Sequence, residues 1–420
     1  MPIMRHGRSR AGLSVLLAVC ATVALAVFGP SRAHGQQATS AEDESNSTPY
    51  ARMADRPPRY EGPDRDAEKD IRGKEINIGL LVPLTGSQAE AGRALQLAAE
   101  LAVEEANQPR RNSAGPAGGF GGRAFRLLTR DTSGPWGRAS GEVVKLIYAD
   151  QVVALLTSME GATAHLAEQV ATKAGVPVLS LAPDTTTTQI NLPWIFRCVP
   201  SDRAEATVLA KELFVERGYT KVALVMQDYR EGRLGGSAFR AATPDPNRLV
   251  TFLLPQEPVA SDFDYLLERI RQEQVEALVL WTRPAEASRF VELLRQAGSE
   301  LEIYLSVEAA QPPFLAALGT QARGLHVIAP AASSDSGSDG ESFPVRYKER
   351  GGELPSPAAT ATFDCVRLLV SAVNDTGPNR ARIQDYLATS PRNSETIGQV
   401  AFDPQGNLKS PWTVRPLPAE

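Results

Sequence analysis

The feature that most restricts the fold is a rhythm that sets in after Lys74, where short, unbroken apolar runs alternate with segments of helical period. Ile76 to Val82, Phe125 to Leu128, Val152 to Leu156, Val176 to Leu181, Val222 to Met226, Ala277 to Trp281 and Leu325 to Ala329 are each of strand length and rich in branched aliphatics. Runs without polar alternation suit strands covered on both faces. Between them lie helical segments with readable starts. Ser87 followed by Glu90 reads as a capping box, after which Leu95, Ala98, Ala99, Ala102, Val103 and Ala106 recur on one face. Asp202 with Glu205 repeats the device before Val208, Leu209, Leu213 and Phe214. Strand, helix, strand repeated along a chain demands right-handed crossovers and a mostly parallel sheet covered on both sides, so the fold class is α/β, doubly wound. In such sheets ligands sit beyond the carboxyl ends of the strands, beside helix N-termini whose free N–H groups favour anions.

The chain has 420 residues, more than one core usually organises, so about two or three domains are expected. A net charge of -5 with scattered Lys and Arg leaves no basic stripe, and nucleic acid is not expected as a partner. Met1 to Arg10 is basic and free of acids, Ala11 to Phe28 is a run of small and apolar residues, and Ala33-His34-Gly35 offers a cleavage site. Residues 1–35 therefore read as a Sec-type signal peptide, with a membrane anchor or lipidation at Cys20 as alternatives, and the protein is expected in the periplasm. Residues 36–73 are polar and poor in aliphatics, the composition of a disordered tether.

Removal of the signal leaves Cys198 and Cys365, for which two buried unpaired thiols are the expectation and a disulfide the alternative. His165 and His326 have no cysteine cluster beside them, so neither metal nor cofactor is expected. Gly118-Gly119-Phe120-Gly121-Gly122 precedes a strand where a phosphate-cradling loop would follow one. Nucleophile elbow, Walker loop and zinc-ligand helix are all absent, and the chain is not read as an enzyme.

Ile76-Asn77-Ile78-Gly79-Leu80-Leu81-Val82-Pro83-Leu84-Thr85-Gly86, with Gly92 shortly after, resembles the opening of the type I periplasmic solute-binding proteins of the leucine/isoleucine/valine-binding family. Gly175-Val176-Pro177-Val178-Leu179-Ser180, Phe196-Arg197 with Ser201-Asp202, Val222 to Met226 with Asp228, and Val400 to Asn407 are similar to later pieces of the same family, in the same order. The resemblance implies two doubly wound parallel-sheet lobes joined by three crossovers, near Val199, Pro330 and Ile397. Lobe I would comprise residues 74–198 and 331–397, and lobe II residues 199–330 and 398–420, with the ligand in the cleft between them.

The resemblance also implies a pocket. Glu160, Gly161 and Thr163 fall on the loop that holds a ligand carboxylate in relatives, and Glu160 alternatively caps the helix that follows. Asp184 or Thr185 falls where relatives contact the ligand's polar end. Glu308 matches the acidic residue that pairs with a ligand ammonium. Glu231 and Trp281-Thr282-Arg283 stand where relatives carry tyrosines, Arg283 offering a carboxylate grip and Trp281 a stacking face. Trp136 is expected at the rim. The implied function is capture of a small polar ligand, an amino acid or related zwitterion, for the permease subunits of an ABC transporter. The alternative is a ligand-sensing module of the same fold acting with a separate signalling chain.

Overall fold

The computed structural model describes residues 71–109, 118–133, 136–189, 192–311, 315, 317–331, 342–394, 398–409 and 411–417. Residues 1–35, expected to be a signal peptide with an anchor or lipidation as alternatives, lie outside the described residues, as do residues 36–70 of the expected tether. The last tether residues do not fit that reading. Ile71 donates its N–H to Pro378 O at 2.9 Å and packs on the first core, so the docked chain begins ahead of Lys74.

The first lobe is built on β1 (Glu75–Val82), β2 (Ala124–Asp131), β3 (Ala154–Thr157), β4 (Val178–Ser180) and β5 (Ile195–Arg197), all parallel and ordered β2-β1-β3-β4-β5. Alternate residues of β1 go to opposite faces. Ile76, Ile78, Leu80 and Val82 join the core beneath α1 (Ala89–Asn107) and the late helix Pro357–Thr376. Leu81 joins a second core beneath α2 (Trp136–Val144) and α3 (Gly161–Ala174). These side chains are fully buried, each stabilising the lobe by roughly 1.5–3 kcal/mol. A short helix, α4 (Thr186–Gln189), precedes β5.

The second lobe repeats the plan with β6 (Val222–Gln227), β7 (Leu249–Leu254), β8 (Ala277–Trp281), β9 (Glu302–Leu305) and β10 (Leu325–Pro330). Its helices include α5 (Asp202–Ala210), α6 (Arg230–Ala242), α7 (Ala260–Glu273) and α8 (Pro284–Gln296). Val222 and Leu224 of β6 pack with α5 and α6, whereas Ala223 and Val225 pack on the side of α7 and α8. β7 was not legible as a buried run because it is an edge strand, with Phe252 and Leu254 buried but Thr251 and Leu253 exposed.

The chain then returns to the first lobe through α9 (Phe343–Gly351), α10 (Pro357–Thr376) and α11 (Arg380–Thr389), followed by the hairpin β11 (Arg392–Ser394) and β12 (Gly398–Val400). Among the described residues, only β13 (Trp412–Pro416) re-enters the second sheet, antiparallel to β10. Val400, Phe402 and Leu408 belong to the first core, and Leu408 donates its N–H to Arg197 O at 3.1 Å. The third crossing therefore lies near Lys409 to Pro411, not at Ile397. A three-residue strand and a short hairpin carry too little pattern to reveal this.

Two helix starts also differ from their reading. α1 begins at Ala89 behind Gln88, which makes no side-chain cap, so Ser87 and Glu90 form no capping box. α5 is capped by Ser201, whose Oγ accepts from Ala204 N at 3.2 Å, one residue before the expected Asp202. Asp202 and Glu205 are thereby carried inward and buried, and Glu205 accepts from Val307 N at 2.7 Å.

Cys198 and Cys365 are joined as a disulfide, which corrects the expectation of free thiols. It ties the end of β5, at the start of the first crossing, to α10. Their sequence separation of 167 hides a proximity that only the packing of α10 on the first sheet creates. Beside it the fully buried Arg197 donates to Asp184 O at 2.6 Å, Thr187 Oγ1 at 2.8 Å and Asn407 Oδ1 at 2.7 Å, locking the first crossing to the segment that leads into the third.

Candidate functional site

In each sheet the strand order reverses around the first strand, between β1 and β3 in one lobe and between β6 and β8 in the other. Crevices at the carboxyl ends of parallel strands open at such points. A cavity of about 440 Å³ lies there, lined from both lobes. The first lobe contributes Pro83, Gln88 and Gly92 after β1, Thr132 and Ser133 after β2, and Ser158 to Glu160 with Thr163 after β3. The second contributes Tyr229 to Glu231 and Arg233 after β6, Gln256 after β7, Arg283 after β8, and Glu308 and Gln311 after β9.

Asp131, at the end of β2, organises the rim. It accepts from Leu84 N at 2.8 Å, Thr85 Oγ1 at 2.9 Å and Ser133 N at 3.0 Å. Burial opposes its charged form, but these hydrogen bonds prevail and hold its pKa down at about 2. Trp136 opens α2, and its side chain lies outside the described residues.

On the first-lobe floor, Glu160 occupies the N-cap position of α3 but its side chain does not cap the helix; its Oε2 accepts from Thr163 Oγ1 at 2.9 Å. Burial raises the pKa of Glu160 against the opposing Thr163 hydrogen bond, with the charge of Glu231 adding to the rise. Gly161 N donates to Glu231 Oε1 across the cleft at 3.2 Å.

On the second-lobe wall, Tyr229 donates its hydroxyl to Glu308 Oε2 at 2.7 Å. Glu308 keeps some exposure to the cavity yet is ringed by protein atoms; burial, with the nearby charge of Glu231, pushes its carboxyl up to about 8. The Arg283 guanidinium lies over the Tyr229 ring, 4.6 Å from its centroid, and its Nε is buried without a hydrogen-bond partner. Glu308, Tyr229 and Arg283 thus form an acid, a hydroxyl and a cation side by side on one wall.

The structure leaves Gly161, Asp184, Thr185 and Trp281 out of the cavity lining. Asp184 is fully buried beneath it, where its carboxylate accepts from Thr186 N at 2.9 Å and from Arg230 Nη2 of the opposite lobe at 2.6 Å. Burial opposes its charge, but hydrogen bonds from His165, Thr186 and Arg230 hold it well below the usual carboxylate range. His165 is raised in turn to about 9, first by its bond to Asp184 and then by Glu168. Thr185 Oγ1 accepts from Arg203 N at 3.4 Å, serving the start of α5. Trp281 is the last residue of β8 and packs inward among Phe239 and Leu224. A Cβ on Gly235 would lie 1.9 Å from its Nε1, so the indole fills the space that a glycine in α6 leaves.

Sequence reasoning places Tyr229, Arg230 and Gln311 on loops that follow strands without singling them out, and it misses Gln256. Tyr229 was within reach, since it follows β6 by two residues, where a side chain clears the sheet and enters a crevice. Among the described residues no group of His, Cys, Asp and Glu is arranged to hold a metal ion, and no helix is long and apolar enough to cross a membrane.

Residues 75–414 match the profile of a family described as periplasmic binding protein. The Leu/Ile/Val-binding protein homolog 3 of Brucella melitensis is 23% identical over 341 residues, which cover 80% of this chain and 89% of the relative. LivJ, the branched-chain amino acid transporter substrate-binding protein of Streptococcus pneumoniae, solved in complex with isoleucine, is similar with a TM-score of 0.69 at 22% identity, over 82% of this chain and 96% of that one. A solute-binding protein of an ABC transporter from Rhodopseudomonas palustris, in complex with 3,4-dihydroxybenzoic acid, reaches a TM-score of 0.71 at 18% identity, over 82% and 94% respectively.

Proposed function

Because the chain belongs to the periplasmic binding protein family, whose members bind solutes, we propose that it is exported to the periplasm, captures an amino acid or related zwitterion in the interlobe cleft, and delivers it to an ABC transporter permease. The observation that carries the reading is the triad of Glu308, Tyr229 and Arg283 on one wall of the interlobe cavity. An ammonium placed on Glu308 gains an acidic partner already oriented by a hydroxyl, which ionises as the amine binds, and a carboxylate placed on Arg283 meets a cation whose Nε has no partner. Isoleucine and 3,4-dihydroxybenzoic acid, bound by the two solved relatives, both carry a carboxylate, in keeping with an anion position. The first-lobe loop at Ser158 and Thr163 supplies hydroxyls that orient the ligand's polar end.

A thermal-shift screen over amino acids, amines and aromatic acids tests this. A ligand at about a hundred times its dissociation constant adds roughly 2.7 kcal/mol of stability. A hit that carries both an amine and a carboxylate is the expected result. Hits confined to compounds without an amine would overturn the zwitterion assignment, and a screen without hits would overturn solute capture itself.

A further inference from the structure

Two helix N-termini meet across the cleft. α3 starts at Gly161 in the first lobe and α6 at Arg230 in the second. Glu231, in the first turn of α6, reaches over so that its carboxylate accepts the Gly161 N–H at 3.2 Å. Each helix start carries roughly half a positive charge, so two of them facing one another repel unless an anion lies between. Glu231 is that anion.

Its position is enforced by its neighbour. Arg230 places Nε and Nη2 on Asp184 Oδ2 at 3.1 and 2.6 Å, pinning the start of α6 to a fully buried group of the first lobe. Gly161 lacks a side chain for the same reason, since a Cβ there would lie 2.4 Å from Asp184 Oδ2. The first-lobe face of the cavity is therefore already supplied with negative charge, from Glu231 and from Glu160, while the cation with a buried unpartnered nitrogen, Arg283, stands on the second-lobe side.

We propose that Glu231 is a tethered anion that fills the first-lobe anion position at the start of α3 and restricts the cleft to solutes with a single anionic group, held at Arg283. The assignment rests on the solute-capture reading and names the charge class of the solute. Dicarboxylates and dicarboxylic amino acids are excluded, because their second carboxylate meets Glu231 and Glu160 in place of free N–H groups. Glu231 is then a specificity-determining residue.

The test uses acetate as a minimal carboxylate and follows the backbone amide resonances of Gly161, Ala162 and Thr163 in the full protein without other ligands. In Glu231→Ala these signals should saturate with acetate at a concentration at least about tenfold lower than in the wild type. Glu231→Gln keeps an acceptor oxygen without the charge and should fall between the two. Equal acetate responses in wild type and Glu231→Ala, or no response in a Glu231→Ala protein whose melting curve shows it folded, would overturn the assignment. A thermal-shift screen without hits sinks solute capture and leaves the acetate result standing, so the two failures are distinguishable.

Discussion

Replacing Glu308 by Gln isolates the charge that the cleft offers to an amine. In the empty cleft the carboxyl is pushed up to about 8 by burial and by Glu231, so at pH 7 it is largely protonated. Binding an ammonium as an ion pair then requires release of that proton. One pKa unit corresponds to about 1.4 kcal/mol, so ionisation costs about 1.4 kcal/mol at pH 7 and almost nothing at pH 9. Loss of one partner from a desolvated charge pair costs about 2–5 kcal/mol. Glu308→Gln should therefore weaken binding by roughly 0.6–3.6 kcal/mol at pH 7, about threefold to four-hundredfold, and by the whole 2–5 kcal/mol at pH 9. Calorimetric titration of the best thermal-shift hit, in two buffers of different ionisation enthalpy, reads both the affinity and the protons released. The wild type should bind more tightly as pH rises from 7 to 9 and release close to one proton at pH 7, whereas the variant should show neither behaviour. Wild-type affinity that is flat over this range, or a variant within about twofold at both pH values, would refute the pairing, since even a tenfold effect requires only about 1.4 kcal/mol. The stability of the empty protein carries the opposite sign. Glu308 titrates in the fold above its ordinary value of 4.5, so its contribution is present below that value and lost as pH rises through about 8. Gln mimics the neutral form, and the variant should melt above the wild type at pH 9.

Gly235→Ala should destabilise the second lobe by about 1–3 kcal/mol, because the added methyl must displace the Trp281 indole, and it should alter tryptophan emission. Denaturant unfolding followed by fluorescence checks this, and an unchanged midpoint would contradict the packing of Trp281 beneath α6. Reducing the Cys198–Cys365 bond should lower stability by about 2–5 kcal/mol, since the link closes a long loop in the unfolded chain. Thermal melts with and without reductant, alongside the Cys198→Ala/Cys365→Ala variant, should agree; no difference between oxidised and reduced protein would deny the bond a role in the fold.

What the sequence determined by itself was local. The period of each segment shows directly in which residues are apolar, and a two-face-covered strand such as Ile76 to Val82 is legible without reference to anything distant. Chain order and crossover handedness then restrict the sheets to the doubly wound arrangement. The loops after the strands followed as the place to look, and Glu160, Thr163, Glu231, Arg283 and Glu308 do line one cavity. Tertiary structure decided which side chain of each loop enters the cleft. Trp281 ends β8 and turns into the core, while Arg283, two residues on and already past the strand, reaches the cavity. Tertiary structure also decided the pairs that span the cleft. Arg230 with Asp184 and Glu231 with Gly161 are 46 and 70 residues apart, while within the first lobe Cys198 and Cys365, 167 apart, meet because α10 packs on the first sheet. Periodicity reports only what a residue does relative to its own element, whereas the two cross-cleft pairs exist because the two sheets present their carboxyl ends to each other.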